Sequence, residues 1–136
     1  MTAIVTQPLS SSTDALLRFA LRLDATLTGF AGLAGAALAD PLSSLTGLSA
    51  TTEYLLGAAF VAYGLVVYSL AALTDLRRVG IGVSAANVLC TVATLMIVLA
   101  DAAPLTAAGV AATLAIGLYT AFFGYLQYLG VRRLRA

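Results

Sequence analysis

Histidine, tryptophan and lysine are absent from this 136-residue chain, and Cys90 is its single cysteine. Without histidine there is no imidazole to hold zinc or haem and no histidine base for catalysis. One thiol supplies neither an intrachain disulfide nor a Cys-x-x-Cys redox pair. Charge is scarce too: 10% of residues are charged and the net charge is +1, against about 25% charged in an ordinary soluble domain. No basic footprint for nucleic acid is present. What the chain does have is apolar surface, with 61% hydrophobic residues and a mean hydropathy of +1.01. That content excludes disorder and is wrong for a water-soluble fold. It points to lipid.

A hydrocarbon core of about 30 Å needs roughly 20 apolar helical residues. The charge-free runs predict four spans, at about residues 14–39, 54–73, 81–100 and 105–129, with residues 1–12 as a short cytoplasmic tail. The first is the least regular, because Asp24 interrupts it. Ser11, Ser12 and Thr13 are candidate N-caps for the first helix, and Asp14 suits its positive end. Asp40-Pro41 is expected to stop that span, Leu42 to Thr52 to form an interfacial loop, and Pro104 to open the fourth helix. The fold class this predicts is all-α, an antiparallel four-transmembrane-helix bundle.

All seven basic residues are arginines: Arg18, Arg22, Arg77, Arg78, Arg132, Arg133 and Arg135. They fall before the first predicted span, between the second and third, or after the fourth. The opposite loops carry Asp40, Glu53 and Asp101. By the positive-inside rule the chain is then a multi-pass protein of the plasma (inner) membrane with both termini cytoplasmic. A competing reading takes Arg18, Arg22, the apolar run and Ala37-Leu38-Ala39 as a cleavable signal peptide. Its apolar region would begin beside Asp24 and run long, which favours a retained span.

Small residues recur along each span at alternating steps of three and four: Gly32 and Gly35 in the first, Gly57 and Gly64 in the second, Gly80, Ser84 and Thr91 in the third, Gly117 and Gly124 in the fourth. In lipid, helices associate by such close-packed seams and by buried polar groups. A weak internal duplication pairs Leu38-Ala39-Asp40 with Leu99-Ala100-Asp101 and Arg77-Arg78 with Arg132-Arg133, as two parallel helical-hairpin repeats would.

Asp24, Asn87 and Gln127 are the charged or amide residues inside the spans, all on these stripes and toward the cytoplasmic side, with Tyr68 at comparable depth. These four are the candidate intramembrane polar cluster. An ionised carboxylate within a span wants a partner, and Arg77, Arg78 or Arg132 could snorkel to it. Asp24 is then either an ion-paired lock on helix register or, as in small transporters, a proton- or cation-coupling group.

Leu21-Arg22-Leu23-Asp24-Ala25 with Thr28-Gly29, Ala86-Asn87, and Leu126-Gln127 with Gly130 and Arg132-Arg133 resemble small four-span integral membrane proteins common in actinobacterial genomes. The resemblance implies a four-helix bundle with Asp24, Asn87 and Gln127 as recurring polar positions, and no particular activity. Scattered acidic residues offer no metal cluster, and neither a catalytic constellation nor a cofactor motif is present. The expectation is a non-enzymatic accessory or assembly subunit, either a homo-oligomer or part of a larger membrane complex in the bilayer. The alternative is a small proton- or cation-coupled transporter using Asp24. Small multidrug exporters share the size, but this chain has no Glu within a span and no Trp.

Overall fold

A computed structural model describes residues 13–134, all of them in helices or the turns between them. The elements are α1 (Ala15–Ala37), α2 (Ala39–Thr46), α3 (Ala50–Leu70), α4 (Arg77–Leu99) and α5 (Ala107–Arg132). Three of them, α3, α4 and α5, are long and apolar enough to cross a membrane. α1 matches them in length at 23 residues but carries Arg18, Arg22 and Asp24 in its first half, which lowers its mean hydropathy. The expected tail 1–12, with Ser11 and Ser12, lies outside the described residues, as does Arg135.

Helix ends differ from expectation where proline is concerned. Pro41 does not end the chain's helical course; it sits in the first turn of α2, where a missing N–H is harmless. It cannot bond to the carbonyl of Ala37, so α1 ends at Ala37, as the Asp40-Pro41 stop leads one to expect, and a separate helix begins at Ala39. Residues 42–46, expected as loop, are therefore helix, closed by Gly47 at φ 88°. Pro104 lies two residues before the cap of α5 rather than inside it. Thr106 is the cap, its Oγ1 accepting from the Gly109 N–H at 3.0 Å. Ser49 does the same for α3 through the Thr52 N–H. Asp14 stands at the N-cap of α1 without capping it; its carboxylate takes the Arg18 guanidinium instead, at 2.7 Å.

Packing runs in the order α3, α1, α5, α4: α1 lies along α3 and α5, α5 lies along α4, and α3 and α4 are the ends of the series. The seams are those of the small residues. Gly32 faces Gly57, and Gly29 faces Gly64. Ser84 donates to the carbonyl of Gly124, and Thr91 to that of Gly117. At one end, Leu17 fills the space left by Gly80 and Gly130, and Arg18 donates to the carbonyls of Ala71 and Leu73 beyond α3. Leu17, Leu21, Ala25, Val67, Ala71, Leu76 and Val83 form the apolar core there. The starts of α1 and α4 and the finishes of α3 and α5 meet at this end, so the described arginines all gather on it. At the other end α2 is stitched to its neighbours: the Thr106 N–H donates to Thr46 O at 2.9 Å, and Thr46 Oγ1 to Glu53. α2 has no counterpart between α4 and α5. The outward surfaces carry Phe30, Leu33, Leu55, Leu65, Leu89 and Leu118, all exposed.

Candidate functional site

Asp24 is the tenth residue of α1, about 14 Å along the helix from its first residue, and it is completely buried. Its position is deeper than the run lengths implied. Five side chains donate to its carboxylate. Tyr63 Oη (2.7 Å), Gln127 Nε2 (2.8 Å) and Asn87 Nδ2 (3.0 Å) reach Oδ2. Thr28 Oγ1 and Tyr119 Oη, each at 3.0 Å, reach Oδ1. The donors come from α1, α3, α4 and α5, so one carboxylate joins all four long helices.

The shell is also tied to itself. Asn87 Nδ2 donates to Gln127 Oε1 at 2.9 Å and lies 3.3 Å from Tyr63 Oη. Thr28 and Tyr119 hydroxyls lie 2.9 Å apart, and Tyr119 also reaches the Asp24 main-chain carbonyl at 3.1 Å. The orientation of both amides follows from these partners. Only with nitrogen toward Asp24 do Asn87 and Gln127 meet an acceptor, since a carboxylate has no proton to spare when ionised. Every buried polar side-chain atom among the described residues has a hydrogen-bond partner. Below the node Thr91 Oγ1 and Thr120 Oγ1, 2.7 Å apart, continue the polar seam between α4 and α5.

Of the sequence candidates, Asp24, Asn87 and Gln127 meet in this node. Tyr68 does not. It is half exposed, with the Arg22 guanidinium 5.9 Å from its ring centre. The cationic partners expected for Asp24 do not pair with it either. Arg132 lies over Tyr128, and Arg77 and Arg78 sit exposed in the first turn of α4. The reason is geometric: arginines held at the helix ends cannot reach a carboxylate two and a half turns deep whose oxygens neutral donors already fill. Among the described residues the ion pair is Arg18 with Asp14.

Tyr63 and Tyr119 were not singled out from the sequence, though a signal exists. Tyrosines near helix ends serve as interface anchors, whereas these two fall well inside their helices, and a buried phenol needs a hydrogen-bond partner.

Beside the node, on the side away from the arginines, lies a cavity of about 400 Å³. Leu27, Ala31, Phe60, Cys90, Ala115 and Ile116 make its apolar walls, and Thr28, Tyr63, Asn87, Tyr119 and Thr120 its polar patch. Four of these five are donors of the Asp24 shell, and the hydroxyl of Thr120 is taken up by Thr91 and the Gly117 carbonyl. No group of three or more potential metal-ligating side chains occurs among the described residues. Comparison with known proteins adds no identity: no family model, no curated protein and no solved structure matches the chain.

Proposed function

We propose that this chain is a small non-enzymatic membrane component of four spans, an accessory or assembly subunit or a homo-oligomer, whose register is locked by the Asp24 node. One observation carries the reading: the carboxylate is saturated by neutral donors from every long helix, which suits a permanent joint better than a group that must load and unload. α1 is the fourth span. It packs along α3 from Ala25 to Ala36 and sets Leu17 against Gly130 of α5, and five hydrogen-bond donors take the place of water around its buried acid. The close pairs α1/α3 and α4/α5 support two hairpin repeats, with α2 an addition to the first. The arginines gathered at one end support a cytoplasmic position for that end, and with it for both termini, in the plasma membrane.

Purification from native membranes in mild detergent, followed by native mass spectrometry, tests the role. The expected result is a complex, with other copies or with a second membrane protein. A lone monomer defeats it.

The transporter reading draws on a different observation, the cavity that borders the Asp24 shell. Proton-coupled uptake in proteoliposomes that is present in the wild type and lost in Asp24→Asn is its expected result. Uptake that is absent, or equal in the two, removes it.

A further inference from the structure

The polar patch of the cavity has a direction. Thr28, Tyr63 and Tyr119 have one hydroxyl proton each, and their hydrogen bonds to Asp24 and to one another consume them. Asn87 spends its amide protons on Asp24 and Gln127. Toward the cavity these groups therefore present lone pairs. Asn87 is explicit on this point. Its Oδ1 accepts no hydrogen bond from the described residues, although the residue is only 4% exposed. Nor is that oxygen sealed in, since no buried polar side-chain atom lacks a partner. The cavity is the space that Asn87 lines, so a donor bound there is the partner within reach of that oxygen.

A molecule that fits must donate hydrogen bonds. Charge narrows the class further. Among the described residues Asp24 makes no ion pair, while five donors converge on its carboxylate as they would on an anion. The cavity beside it therefore favours a positive group, and in an apolar surrounding that attraction is poorly screened. The rings of Phe60, Tyr63 and Tyr119 line the same space, and aromatic faces attract ammonium groups. The volume falls in the usual range of small-molecule sites, about 300–1,000 Å³, which are mostly apolar with a few fixed polar groups.

We infer that the cavity lined by α1, α3, α4 and α5 is a binding site for a lipophilic ammonium compound, one apolar body with a protonated primary or secondary amine. The amine faces Asn87 Oδ1 and the Tyr63 and Tyr119 oxygens, and the apolar body lies against Leu27, Phe60 and Ile116. This site stands whether or not the chain belongs to a complex.

Calorimetry in lipid nanodiscs, corrected with empty discs, tests the site with 1-aminoadamantane as probe. Saturable binding is expected, weakened about tenfold or more in the N-trimethyl analogue, which keeps charge but cannot donate, and absent for 1-adamantanecarboxylate. Ala86→Leu and Ala115→Leu fill the cavity from exposed positions outside the packed seams and should each abolish binding. The ammonium probe should also slow alkylation of Cys90, the sole thiol, by N-ethylmaleimide. Three results overturn the inference: no saturable binding, equal affinity for ammonium and N-trimethyl probes, or binding undisturbed by both leucine variants.

Discussion

Replacing Asp24 by alanine should lower stability by about 3 kcal/mol, read as a shift of the unfolding midpoint in mixed micelles titrated with SDS. Four interhelical hydrogen bonds and one within α1 lose their acceptor. In membranes such bonds average about 0.6 kcal/mol, and at most about 1.7, because the separated helices find other partners. Buried donors left without an acceptor raise the cost toward the penalty of an orphaned group, about 1–3 kcal/mol. Partial re-pairing lowers it again, since Asn87 still bonds Gln127 and Thr28 still meets Tyr119.

Asp24→Asn should behave differently. Its retained oxygen can face the Tyr63, Asn87 and Gln127 donors, while its NH2 group faces Thr28 and Tyr119, whose hydroxyls can turn and accept. A loss of about 1 kcal/mol or less is expected. A large gap between the alanine and asparagine variants is the mark of a hydrogen-bonded joint. If alanine is tolerated as well as asparagine, the node does not hold the helices together.

That node was half legible in the sequence. A charged or amide side chain inside an apolar run is conspicuous, so Asp24, Asn87 and Gln127 stood out, and their places on small-residue stripes put them on facing seams. The tyrosines were harder to read. Tyr63 lies one residue before Gly64, off the stripe itself, and reaches Asp24 only because the Gly29–Gly64 contact brings α3 close to α1. Tyr68, one turn further, points outward to Arg22. Five residues turn a helix by about 140°, so periodicity puts the two tyrosines on different faces, but side-chain length and crossing angle decide which of them is buried. α2 was hidden for another reason. Ala-Asp-Pro-Leu-Ser-Ser carries turn-forming residues, and its helix is held by contacts distant in sequence, from Thr46 and Leu45 to Thr106. The expected arginine partners failed because the sequence shows which charges exist but not how deep the acid lies.

The close approach of backbones between α1 and α3 yields the other large effect. A Cβ at Gly57 would stand 2.5 Å from the Ala36 nitrogen and 2.6 Å from the Gly32 carbonyl oxygen. Both are main-chain atoms of a helix and cannot rotate away, so Gly57→Ala must push the two helices apart. Overpacking of this kind costs about 1–3 kcal/mol, and here the upper figure is expected, because separation also lengthens the Tyr63 bond to Asp24 along the same seam. Two other glycines give the controls. At Gly117 the atom in the way is Thr94 Oγ1, a side chain that can turn at the expense of one bond to the Thr91 carbonyl, so Gly117→Ala should cost about 0.6 kcal/mol. At Gly82 nothing lies within 4 Å, and alanine there should stabilise α4 by up to about 1 kcal/mol through helix propensity. The ordering Gly57, Gly117, Gly82 from most to least harmful is the result to look for in thermal unfolding of the detergent-solubilised protein. If Gly57→Ala proves as benign as Gly82→Ala, α1 and α3 do not meet backbone to backbone, and the geometry that carries Tyr63 to Asp24 fails with it.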